Sequence, residues 1–95
     1  IKFTPIAVED LDDIFSYIAD KLHNKEAAIN FLEKINYQIM RLQDFPFSGS
    51  LVSDKFLRDK GYRTVIVNNY IAFYLVNELE KHIVIVRILH NKQNY

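Results

Sequence analysis

Cysteine and tryptophan are absent from this chain of 95 residues, and it holds only two glycines and two prolines. Without cysteine there is no disulfide framework, no thiol nucleophile and no Cys-ligated zinc. Few Gly and Pro leave few places for irregular backbone, so most of the chain is expected in regular elements. No apolar run approaches the roughly 20 residues that span a bilayer, and no basic-then-apolar leader is present. A cytoplasmic location with no membrane association is therefore expected. Charge of one sign is also lacking, since 12 basic residues balance 12 acidic ones. Three scattered histidines without cysteine make no metal site, and no Gly-rich phosphate loop or nucleophile elbow occurs.

What remains is ordinary globular composition: 49% hydrophobic and 25% charged residues exclude a disordered or collagen-like chain. The length fits one domain over residues 1–95, burying roughly 60–65% of its unfolded surface. Aromatics are rich, with seven Phe and six Tyr. The charges are unevenly spread. Residues 1–24 set Lys2 and Lys21 against Glu9, Asp10, Asp12, Asp13 and Asp20, a net charge of −3. Residues 54–95 carry a net charge of +3. An acidic front and a mildly basic back predict that an anionic partner meets the C-terminal half.

Ile1-Lys2-Phe3 alternates and then meets Thr4-Pro5, a short strand running into a helix start. Thr4 can cap the orphan amides, and Pro5 suits the first turn because its missing N–H is not needed there. Ala7, Leu11, Ile14, Ile18 and Leu22 then form a helical stripe. Acidic residues crowd its early turns, where the helix dipole favours them and a solvated face is expected. His23-Asn24 breaks the pattern, and Asn24 is placed to cap a second helix. Its stripe is Ala28, Phe31, Leu32, Ile35, Ile39 and Leu42, ending near Phe45-Pro46. So short a connection makes the two helices an antiparallel hairpin.

From Phe47 to Gly61 no period is clear, and Ser48-Gly49-Ser50 marks a loop. Beyond it Tyr62–Val67, Tyr70–Val76 and His82–Leu89 read as strands. Asn68-Asn69 is a tight-turn pair, because Asn tolerates positive φ. The fold class is α+β: an N-terminal strand and an antiparallel helical hairpin packed on a twisted antiparallel sheet of about four strands.

The residues that could carry chemistry are charges set inside strands. Arg63 and Arg87 interrupt apolar sequence, and each needs a partner or a ligand. Each is half of a structural ion pair, a side chain snorkelling to a sheet edge, or part of an anion site, since guanidinium groups bind phosphate in a planar fork. Alternation puts Arg63 on a face with Val65 and Val67, and Arg87 with Ile83, Ile85 and Leu89. His90, of opposite parity to Arg87, is either a hydrogen-bonded strand-end residue or a general acid–base. Tyr95 is a weaker candidate for base stacking or proton transfer.

Several segments together resemble the RelE/ParE toxin superfamily. Thr4-Pro5-Ile6-Ala7-Val8-Glu9-Asp10-Leu11-Asp12-Asp13-Ile14, with Tyr17-Ile18-Ala19, is similar to its opening helix. Leu42-Gln43-Asp44-Phe45-Pro46, with Gly49 after it, resembles the end of its second helix. Gly61-Tyr62-Arg63, Tyr70-Ile71-Ala72-Phe73-Tyr74-Leu75-Val76 and Val86-Arg87-Ile88-Leu89-His90 are similar to its central and closing strands.

The resemblance implies the toxin of a type II toxin–antitoxin (plasmid stabilisation-type) module that inhibits bacterial growth. It implies a cognate antitoxin whose segment folds onto the toxin as a heteromeric complex, and operator DNA binding only indirectly through that antitoxin. No cofactor and no metal are implied. The superfamily divides by target. ParE-like members poison DNA gyrase, and the Asp-Leu-Asp-Asp-Ile opening and neutral charge favour that branch. RelE-like members cut mRNA on the ribosome; in that case Arg63 and Arg87 would hold the scissile phosphate and His90, or Tyr95, would move the proton. A third expectation is an inactive homologue that serves as an antitoxin-binding co-repressor.

Overall fold

The computed structural model describes residues 1–91. Strand β1 (Lys2–Phe3) leads into helix α1 (Pro5–Ser16), which continues as a π-helical turn, Tyr17–Lys21. Helix α2 (Lys25–Asp44) follows, then strand β2 (Ser50–Leu51) and the short helix α3 (Lys55–Asp59). Strands β3 (Arg63–Val67), β4 (Tyr70–Asn77) and β5 (His82–His90) close the chain.

Local chemistry fixes most of these boundaries. Thr4 Oγ1 accepts the Ala7 amide at 3.1 Å and so caps α1, with Pro5 in the first turn. Asn24 Oδ1 accepts the Ala27 amide at 3.0 Å at the start of α2. Between them His23 takes φ +50°, which ends the first helix. Asp54 caps α3, and Gly61 at φ +89° turns the chain out of it, a conformation that glycine adopts without strain. Asn68 at φ +54° makes the β3–β4 turn.

The sheet order is β1-β5-β4-β3-β2. The meander β3–β4–β5 is antiparallel, as its sequence predicts. Two features differ from expectation. Among the described residues the sheet has five strands where about four are expected, and β1 pairs parallel to β5, so the sheet is mixed. The aperiodic stretch also holds β2 and α3, which at two and five residues are too short to display a period.

Helices α1 and α2 cover one face of the sheet. Their inward residues Ala7, Ala28, Phe31, Ile35, Ile39 and Leu42 pack on Val67, Ala72, Tyr74, Ile83, Ile85 and Ile88. Phe31, Leu42, Tyr74, Ile85 and Ile88 are all under 2% exposed, so this is where truncation would be most destabilising. On the other face a smaller cluster, Val52, Ile71 and Phe73, packs with Leu57, Tyr62 and Leu89.

A β-bulge decides which face each residue of β5 occupies. Tyr74 pairs with Ile85, but Phe73 pairs with Arg87, so Val86 is the extra residue. Ile88 therefore joins Ile83 and Ile85 in the helix-covered core. Arg87 does not share a face with Ile83 and Ile85, as simple alternation predicts.

Candidate functional site

Arg87 is held by a carboxylate from a distant helix. Its Nε donates to Asp10 Oδ2 at 2.9 Å and its Nη2 to Asp10 Oδ1 at 3.0 Å, a two-pronged pair. The Ile88 amide also donates to Asp10 Oδ2, at 2.9 Å. The Asp10 side chain is only 12% exposed, against 44% for Arg87. This carboxylate is thus not part of a solvated helix face. It fastens α1 to β5 where β1 has already ended. Thr4 does the same one turn earlier, its amide donating to the Ile85 carbonyl at 3.0 Å and its hydroxyl to that of Val86 at 2.8 Å.

Arg63 is held by neutral carbonyls instead. Its Nη1 donates to the Gly49 carbonyl at 2.8 Å and to the Phe47 carbonyl at 3.2 Å, and its guanidinium lies 5.1 Å from the Phe47 ring centre. Tyr74 secures the same loop: its hydroxyl donates to the Pro46 carbonyl at 2.9 Å and accepts the Gly49 amide at 3.0 Å. Burial raises the Tyr74 pKa, opposed by the Gly49 amide and the Arg63 charge. A Cβ on Gly49 would sit 2.4 Å from that hydroxyl and 2.6 Å from the Thr64 carbonyl, so only glycine fits here.

His90 pairs with Tyr70 across β4, their rings meeting edge-on at 5.1 Å, and Tyr70 in turn packs on Phe31 at 5.0 Å. Burial raises the Tyr70 pKa first, and the neighbouring Tyr17 adds to it. His90 is exposed. Tyr95 lies outside the described residues.

The three predicted residues are not brought together. Arg63 and Arg87 are separated by β4; Arg63 is in register with Tyr74 and Arg87 with Phe73, and the Arg87 guanidinium reaches Asp10 on α1 while Arg63 reaches the Gly49 carbonyl. His90 shares the helix-covered side with Arg63, but their partners Tyr70 and Tyr74 stand four residues apart on β4, about 13 Å. Asp10, which holds Arg87, and Tyr74, which holds the loop around Arg63, carried no signal in the sequence because their partners are remote.

A concavity of about 460 Å³ lies where α2 ends, next to the loop that holds Arg63. Ile1, Leu42, Pro46, Phe47, Val76 and Ile83 give it an apolar floor, with Glu78, Lys81 and His82 at its rim. Among the described residues no cluster of three or more His, Asp or Glu is placed to hold a metal. None of their helices is long and apolar enough to cross a membrane.

A helical hairpin laid over a twisted mixed sheet, entered through a short parallel edge strand, is the architecture of the RelE/ParE toxin superfamily. The chain belongs to the ParE toxin family of type II toxin–antitoxin systems (parDE), whose profile matches residues 1–95. A solved structure described as the chromosomal ParDE system from P. aeruginosa is 27% identical in sequence. The match has a TM-score of 0.73 and covers 94% of this chain and 91% of that one. No curated protein matches the sequence significantly. The protein is a ParE-like toxin of a type II module, and membership implies a cognate antitoxin as partner.

Proposed function

We propose that this toxin inhibits growth by binding and poisoning DNA gyrase, not by cutting RNA. The observation that supports this reading is the fate of the two strand arginines. A nuclease would need both to converge on one phosphate with a proton-transfer group beside them. Here each guanidinium holds the fold together, one through Asp10 and the other through the Gly49 carbonyl, on either side of strand β4. Neutral overall charge also supplies little of the cationic surface that docking on ribosomal RNA requires.

The antitoxin is proposed to place an apolar anchor in the groove floored by Leu42, Val76 and Ile83, beside the cationic Lys81. Operator binding then runs through the antitoxin alone. The toxin acts in the cytoplasm as one domain over residues 1–95.

The test is to induce the chain without antitoxin and to measure two things in the same cells. Covalent gyrase–DNA complexes should accumulate, and purified chain should block gyrase supercoiling. The 5′ ends of cellular mRNA should remain unchanged. New translation-dependent ends inside codons, lost on Arg63→Ala or Arg87→Ala in a chain that still folds, would replace this proposal with the nuclease mechanism. Normal growth on induction would leave only the inactive, antitoxin-binding homologue.

A further inference from the structure

The loop between α2 and β2 takes its shape from two side chains of the sheet. Its own backbone closes one turn, the Ser48 amide donating to the Phe45 carbonyl at 3.1 Å. The rest is supplied from outside. The Tyr74 hydroxyl spans the Pro46 carbonyl and the Gly49 amide, and Arg63 Nη1 donates to the Phe47 and Gly49 carbonyls. Arg63 and Tyr74 are direct cross-strand partners on β3 and β4, so one neighbouring pair fastens Pro46, Phe47 and Gly49 together.

The same loop is a wall of the apolar groove. Pro46 and Phe47 line that groove with Leu42, Val76 and Ile83, whereas neither Arg63 nor Tyr74 does. Phe47 is 51% exposed, and the Arg63 guanidinium lies 5.1 Å from its ring centre. A half-exposed phenyl ring on an irregular loop has many rotamers and backbone states open to it. Two carbonyl bonds and a cation beside the ring remove most of them. The residues that shape the wall are thus not the residues that a ligand in the groove would touch.

We propose that Arg63 and Tyr74 are positioning residues for antitoxin binding: they hold Phe47 and Pro46 so that the antitoxin's apolar anchor finds its groove already formed. The inference rests on that groove being the anchor site. A preformed wall spares the complex the cost of ordering a loop. Where only a fraction of free chains carries the wall, the apparent Kd rises by the inverse of that fraction. The loss falls on association, because a seated anchor itself then holds the loop. A residue in direct contact with the antitoxin would act on dissociation instead, and one that only stabilised the fold would move Tm and neither rate.

Association and dissociation rates of the full chain with its full-length cognate antitoxin test it, with circular dichroism and Tm recorded for each variant. Arg63→Gln should slow association about tenfold, the ordering cost of one aromatic side chain and its loop, and leave dissociation within about twofold of wild type. Arg63→Lys, which returns a donor and a cation to the same place, should recover most of that loss. Tyr74→Phe frees the loop from the other strand and should slow association in the same way. Phe47→Ala should speed dissociation, and in that background Arg63→Gln should add less than about twofold. Wild-type association in folded Arg63→Gln or Tyr74→Phe chains overturns the proposal. So does a change confined to dissociation, or full additivity with Phe47→Ala. Gln43→Trp, at an exposed groove-lining position of α2, separates the two ways of failing. If its bulk leaves both rates unchanged, the antitoxin does not enter the groove and both readings fall. If it weakens binding while Arg63→Gln and Tyr74→Phe do not, the groove stands and only the positioning role falls.

Discussion

The two flanks of the sheet, on either side of β4, are fastened by the same kind of residue in opposite ways. On the β5 flank, past the end of β1, Arg87 meets a carboxylate, Asp10, which also takes the Ile88 amide. On the β3 flank, where β3 is paired with β2, Arg63 meets the carbonyls of Gly49 and Phe47, in a loop that Tyr74 also holds. One closure joins two secondary elements by charge; the other shapes an irregular loop by filling its empty acceptors. Both satisfy backbone groups that no strand pairing reaches. An arginine inside a strand is therefore no sign of a ligand until its intramolecular partners are known.

Substitutions at the two edges separate these closures. The largest effect is expected at the loop edge. Gly49→Ala drives a Cβ into the Tyr74 hydroxyl and the Thr64 carbonyl, and should lower stability by about 3 kcal/mol, combining overpacking with lost hydrogen bonds. Urea unfolding measures it; a loss under about 1 kcal/mol would mean that the loop shifts easily and the β3 edge is loosely held.

Asp10→Ala comes next, at about 2 kcal/mol, because it strands the Ile88 amide while Arg87 can still reach water. Hydrogen exchange should quicken at Ile88 well before it quickens in β4. Uniform acceleration across the sheet would show that the β5 edge has no independent stability.

Tyr74→Phe should remove about 1 kcal/mol at neutral pH and also change the alkaline limb. The folded-state pKa of Tyr74 lies above the ordinary 10.0, so the native state holds its proton more tightly than the unfolded chain. Stability is then full below pH 10.0 and falls as pH rises toward the raised value. Tyr70, also raised, contributes to the same decline. The variant should lose stability less steeply above that pH, and an unchanged slope would assign the limb to Tyr70.

The smallest effect distinguishes charge from neutral closure. High salt should weaken the Asp10–Arg87 edge by a few tenths of a kcal/mol and leave the Arg63 loop untouched. An Asp10→Asn, Arg87→Gln double variant should therefore lose the salt dependence that Arg63→Gln retains.

Much of the fold was legible because its signals are local. Thr4-Pro5 and Asn24 cap their helices within one turn, and Asn68 supplies a positive φ at the hairpin it was expected to make. The buried stripe of α2 follows the predicted period, except that Leu32 turns outward at 37% exposure. Less was legible where one residue changes the phase. The bulge at Val86 moves Ile88 into the core and sends Arg87 to the other face, which no alternation rule foresees.

The candidate site was legible only as a set of residue types. Arg63, Arg87 and His90 stood out because charges inside apolar strands demand an explanation. What satisfies Arg87 lies 77 residues away and what satisfies Arg63 lies 14 to 16 residues away. By itself the sequence determined the helical hairpin, the three-strand meander and the family, since caps, turns and periodicities act over a few residues. Only the tertiary structure decided the parallel β1, the bulge and the partners of the two arginines. Those depend on which surfaces meet when the core closes, and chain-distant contacts leave no spacing to read.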